Sequence, residues 1–414
     1  VIRRSAPALL TTALALGLAG CASPALPAPS AVPDATGEEH GHIEGAQEMA
    51  EPQAHLLAVD EHGGLTHLDL LDRSADDLGR LGGVESVTTE GRYAYAVRPD
   101  ADAVTVVDSG VWTWSHIDHF HYYRAEPRVL GDIAGHGRAT VSASDAGAGV
   151  FFADSGEAVL LSADTLGDGS LEEAFRVEVE PHDGLLVPVG TRALVTEPGA
   201  DGVAARVRAL DADGATGAAA ECLGARGSIT TVVGVVIGCL DGALLATVGE
   251  GGSIAFERIP YPDGTAAAPA RRFDGREGRP TVAAIAGDPG STAIWLLDTR
   301  ERGWRHLEVG EPLVRATAVD DADEHLLALT AEGRVLVLDA RTGERLAGTA
   351  PLLAATVADP ARLAGVALLT DQSRAYLNGV AERRLFEIDF ADAARVSREF
   401  PTAAEPRLLI GTGR

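Results

Sequence analysis

From about residue 54 onward the chain repeats one pattern: a short apolar run, a turn bearing Asp, Gly or Glu, and a second alternating run that often ends in Asp. The copies begin with His55-Leu-Leu-Ala-Val59 followed by Gly64-Leu-Thr-His-Leu-Asp69, and Ala94-Tyr-Ala-Val97 followed by Ala103-Val-Thr-Val-Val-Asp108. Further copies start at Val150, Ala193, Val235, Thr292, His325 and Arg374. Alternation with period two predicts half-buried strands, so each copy reads as a β-hairpin. A lone hairpin leaves its apolar face in water. Eight of them, spaced by about 45 residues, match the period of a four-stranded propeller blade. The fold class expected is therefore all-β, a β-propeller of seven or eight four-stranded blades, and the count of hairpins favours eight. An all-β solenoid or a pair of sandwiches is the second choice. A doubly wound α/β fold would need a long amphipathic helix after most strands, and none is evident.

The pattern is absent from the first 53 residues. Val1-Ile-Arg-Arg-Ser5 is basic, residues 6–20 are a run of small and apolar side chains, and Leu18-Ala-Gly-Cys21 closes it. This reads as a signal peptide over residues 1–20 ending in a bacterial lipobox, with Cys21 as the lipidated residue. The run is too short for a stable membrane-spanning helix. Residues 21–53, rich in Ala, Pro, Ser, Glu and Gly, read as a disordered tether, and residues 54–414 as the propeller. Inside the tether, His40 and His42 sit in a small acidic patch that could capture a metal ion weakly.

Composition narrows the partners. The formal net charge of −27 repels a phosphate backbone, so nucleic acid is not an expected partner, while 46% hydrophobic residues supply a large core. Beyond Cys21 the chain has two cysteines, Cys222 and Cys239. In an exported protein these are expected to form a disulfide.

Aromatic and histidine residues are scarce but concentrated at Trp112-Thr-Trp-Ser-His-Ile-Asp-His-Phe-His-Tyr-Tyr123, between the second and third hairpins. The longer gap there predicts an insertion between blades. His119 and His121, two apart, share one face of an extended chain and can grip one metal ion; His116 and Asp118 share the other. Imidazole nitrogen suits zinc, and a carboxylate can ligate or fix a histidine tautomer. Copper and nickel also accept imidazole. His136, between two glycines, and His182, in Pro181-His-Asp-Gly184, precede the third and fourth hairpins and are expected to complete the set. His55, His62, His67, His306 and His325 lie in hairpin strands or turns and read as structural or surface residues. No nucleophile motif or phosphate-binding loop is present. An enzymatic alternative, a metal-dependent propeller hydrolase or lactonase, would draw its base from Asp118, Asp132 or Glu197.

The run His116-Ile-Asp-His-Phe-His-Tyr-Tyr123 resembles the His-x-Asp-His-x-His-Tyr-Tyr motif of AztD-type zinc metallochaperones. Gly131-Asp-Ile with His136, Glu180-Pro-His-Asp-Gly-Leu-Leu-Val-Pro188, and Cys222 with Gly238-Cys-Leu-Asp-Gly242 resemble further segments of that family in the same order. There are departures: Asp183 replaces a histidine, Cys222-Leu-Gly-Ala-Arg-Gly227 lacks another, and the tether carries two histidines in place of a long His/Asp run. The resemblance implies an exported β-propeller that is not an enzyme. It implies zinc bound through His116, Asp118, His119, His121, His136 and His182, and transfer to the solute-binding protein of a zinc ABC transporter. With the lipobox, the protein is expected as a monomer, lipid-anchored outside the cytoplasm.

Overall fold

The computed structural model describes Ile43, residues 45–116 and residues 119–413, the side chain of His116 aside. The lipobox with Cys21, the tether histidines His40 and His42, and Asp118 lie outside the described residues.

Each of the eight repeats forms the second and third strands of one antiparallel sheet, and these eight sheets are the blades. Blade 1 is ordered Pro406–Thr412, His55–Asp60, Gly64–Asp69, Ala75–Arg80, so the last strand of the chain supplies the first strand of the first blade. Its pairing of Thr412 with His55 and of Ile410 with Leu57 closes the ring. Closure of this kind leaves no blade edge unpaired at the seam. Blade 2 contains Ser86–Thr89, Tyr93–Arg98, Ala103–Asp108 and Arg128–Ala134. Blades 3, 4, 5, 7 and 8 span residues 139–178, 186–221, 226–260, 313–348 and 368–401; blade 6, residues 281–308, has three strands. A ninth, three-stranded sheet stands apart from the blade repeat. It joins Gln47–Met49, His119–Arg124 and Val111–His116.

The central strands depart from the half-buried reading. His55–Asp60 is buried at five of its six positions. Leu56 and Ala58 pack with Tyr376 and Leu385 of blade 8, while Leu57 and Val59 pack with Ala94, Ala96 and Val107 of blade 2. A blade is covered on both faces by its neighbours, so alternation sorts residues between two cores rather than between core and water. Exposure is most continuous at the outer strand, as in Ala75–Arg80. Two of the four tryptophans, Trp295 and Trp304, belong to this packing: with Tyr261 they fill the seam between blades 5 and 6.

Cys222 and Cys239 are joined by a disulfide. It links the connector leaving blade 4 to the second strand of blade 5. Among the described residues no helix is long and apolar enough to cross a membrane.

Candidate functional site

Residues 111–124 fold as a hairpin, not as a loop, and its place corrects the expected inter-blade insertion. Asp108 ends the third strand of blade 2 and Arg128, its ladder partner, begins the fourth. The hairpin is therefore an excursion inside blade 2, leaving and re-entering at one end of a strand pair.

Its base is built into the fold. Trp112 and Tyr123, paired in register, are buried and stacked at 5.2 Å. Arg92 lies with its guanidinium 4.0 Å from the Trp112 ring and makes two hydrogen bonds to Asp108, at 3.0 and 2.8 Å. Thr113 donates to the Gly413 carbonyl at 3.2 Å, and Arg124 donates to Asp69 at 3.0 Å. Asp69 also lies 3.4 Å from the His55 ring, which stacks on His67 at 4.5 Å. His67 bonds Thr412, and its burial holds its pKa down to about 3. Burial also holds the His55 ring below its ordinary pKa, and both histidines are part of the wall beneath the hairpin.

Toward the tip the hairpin runs out into solvent. Trp114 is 46% exposed and Phe120 is 58% exposed. Here His119 and His121 meet: their Nε2 atoms are 2.9 Å apart and the rings stand edge to face. Two imidazole ligands on a tetrahedral zinc ion, each at about 2.0 Å, would have nitrogens about 3.3 Å apart. A shift of a few tenths of an ångström would admit the ion, so the pair fits it. Behind His121, Nδ1 is 2.7 Å from Oε1 of Glu48, on the strand Gln47–Met49. This carboxylate–imidazole pairing is the usual outer-shell arrangement of metal-binding histidines. Glu48 was missed in the sequence because it lies 73 residues away in a stretch read as tether. That strand also moves part of the tether, residues 47–49, into the fold.

The register revises the expected division of faces. Position 116 lies directly opposite His119 in the ladder. Opposed positions share a face, so positions 116, 119 and 121 lie on one side. The period-two argument failed because it counted positions 116 to 121 along one strand, whereas 116 and 119 belong to two antiparallel strands.

His136 and His182 do not join this pair. His136 follows Ala134, at the far end of the seven-residue strand Arg128–Ala134 from the hairpin. At about 3.3 Å per residue that is roughly 20 Å away, on the opposite face of the propeller. It is exposed and 3.0 Å from Asp102. His182 precedes blade 4 on that same opposite face. It is buried, with Nε2 2.9 Å from the Thr196 hydroxyl and Nδ1 2.7 Å from the Glu180 carbonyl, which occupies both ring nitrogens within the fold. The two histidine segments do communicate, through an ion pair of Arg138 with Asp183 at 2.9 Å. The expected four-histidine assembly is thus split by topology, and among the described residues no three His, Cys, Asp or Glu side chains form a metal-holding group. Of the general-base candidates, Asp132 accepts from Thr105 at 2.6 Å, and Glu197 is held by Arg208.

Fold and site together define an eight-bladed β-propeller with a histidine pair, His119 exposed and His121 half-buried, on a hairpin extending from one face. Among solved structures it is similar to AztD of Citrobacter koseri, at a TM-score of 0.74 and 20% identity over 87% of this chain and 98% of that one. Apo AztD from the same organism gives 0.72 and 19% identity, over 87% of this chain and 97% of that one. The dihydro-heme d1 dehydrogenase NirN, in complex with DHE, gives 0.52 and 15% identity over 87% and 76% of the two chains. The expected likeness to AztD is present in the fold. No protein-family model matches the chain, and no curated protein sequence matches it.

Proposed function

We propose that this protein is an extracytoplasmic zinc metallochaperone that holds the ion on the hairpin tip through His119 and His121. His116 or Asp118 supplies a further donor, and the ion passes to the solute-binding protein of a zinc ABC transporter. The observation that carries the reading is the His119–His121 contact at 2.9 Å, backed by Glu48 and set on an exposed tip. Support comes from the motif resemblance over residues 116–123 and from the AztD-like fold. A cargo site must be reachable by an acceptor, and at this tip the exposed His119 can be released before the half-buried His121. Zinc here is cargo rather than a catalytic ion, so the protein is read as a non-enzyme. Lipidation at Cys21 would anchor it as a monomer on the outer face of the membrane, with His40 and His42 as a weak capture site on the tether. The disulfide fits an oxidising compartment.

Elemental analysis after exposure to zinc and gel filtration is expected to find one tightly held ion per chain. His119→Ala with His121→Ala is expected to weaken binding by at least about a hundredfold in chelator competition, since tetrahedral zinc would lose two of its ligands. Unchanged affinity in that double variant would place the zinc elsewhere.

A further inference from the structure

We infer that Glu48 is a positioning residue for the His119–His121 pair, and that the strand carrying it, Gln47–Met49, is a detachable clasp that sets how firmly the pair is held. The use of this device rests on the zinc reading above; its first test does not.

The hydrogen-bond network assigns the tautomers. The Glu48 carboxylate can only accept, so His121 donates from Nδ1 at 2.7 Å. Nε2 of His121 then carries a lone pair, and the 2.9 Å contact requires that Nε2 of His119 donate to it. Glu48 therefore presents His121 with its lone pair already facing the site. His119 must pass to its other tautomer before both nitrogens can face one cation. One histidine is prepared and the other is switchable, and the preparation comes from outside the hairpin.

The clasp is weakly held. Gln47–Met49 has three residues, lies at the edge of the sheet, and pairs only through Gln47 with Arg124, Glu48 with Tyr123 and Met49 with Tyr122. Gln47 and Glu48 are exposed and Met49 is half-buried, so no core side chain anchors it. A few solvent-exposed backbone bonds, each of about 1 kcal/mol net, make its docking marginal. Among the described residues of this segment the first to be buried is Gln53, which is 1% exposed and whose carbonyl bonds His55. Residues 45–52, none of which is buried, can lift away with blade 1 intact. Lifting removes Glu48 from His121 and ends its tautomer preference.

The test begins on zinc-free protein with 15N spectra of the histidine rings. His121 is expected in the Nδ1–H form in the wild type, in a mixture in Glu48→Ala, and restored in Glu48→Gln, whose amide oxygen accepts the same bond. An unchanged His121 tautomer in Glu48→Ala would overturn the positioning role. With zinc, release to a chelator is expected to quicken about tenfold or more in Glu48→Ala and far less in Glu48→Gln. Locking the clasp by oxidising the pair Met49→Cys and Tyr122→Cys is expected to slow release relative to the reduced form; equal rates would overturn the clasp. A tautomer change in a protein that binds no zinc would overturn the zinc reading and leave the positioning role standing.

Discussion

Glu90 sits in the turn between the first two strands of blade 2, next to the Arg92 that braces the hairpin. Its Oε1 accepts from the backbone N–H groups of Arg92 and Tyr93, while Oε2 is buried. Burial outweighs those donors and pushes its carboxyl up to about 7. The folded pKa lies above the unfolded value of about 4.5, so the unfolded chain ionises first. Stability from this group is complete below pH 4.5 and is lost as pH rises through 7. Glu90→Gln is therefore expected to raise the urea midpoint at pH 8 and to leave it unchanged at pH 4. A variant less stable than the wild type at pH 8 would show that the charge is needed. Nothing in the sequence marks Glu90, because burial is a property of the ring around it. His119 and His121 were legible, since their spacing and neighbours are local. Glu48 was not, because the contact that gives it meaning spans 73 positions.

As an element, the hairpin is an addition to a blade that is complete without it. Asp108 and Arg128 are ladder neighbours, so a short turn can join them directly. Replacing residues 110–126 with a tight Gly-rich turn is expected to leave the far-UV circular dichroism spectrum and a single cooperative unfolding transition in place. The stability cost should be a few kcal/mol, because Trp112 and Tyr123 are lost from beneath Arg92. Zinc binding should disappear. Loss of folding would mean that the hairpin is part of the propeller's core. Recognising strands here was within reach of the sequence, but their parity was not: a count of positions cannot cross a turn whose location is unknown. The same limit put His136 and His182 with the hairpin. Both precede a blade, which is a statement about order along the chain. The end of the blade at which each emerges depends on how many strands lie between.

For the whole molecule, stability depends on closing the ring and stapling it. Pro406–Thr412 completes blade 1, and its residues Leu409 and Ile410 enter the cores on the two sides of that blade. The Cys222–Cys239 bridge closes a 17-residue separation between blades 4 and 5. Substituting both cysteines with serine is expected to lower unfolding free energy by about 3 kcal/mol through the larger entropy of the unfolded chain. Zinc affinity should be unchanged, because the bridge lies in other blades than the hairpin; a parallel loss of zinc affinity would tie the staple to the site.

What the sequence determined by itself was the repeat: hairpins at the spacing of a propeller blade, each unable to bury its own apolar face, which favour a radial stack of seven or eight; the pairing of the last strand with the first hairpin then closed the ring. It also determined the histidine pair, because two residues apart on one strand is a local distance. The tertiary structure alone decided three things: that blades are buried on both faces, that the histidine hairpin stands across the propeller from His136 and His182, and that a piece of the presumed tether returns to place Glu48 behind His121. Each depends on contacts between segments far apart in the chain. Such contacts are set by how strands order within a blade and blades within a ring, and local periodicity carries no record of that order.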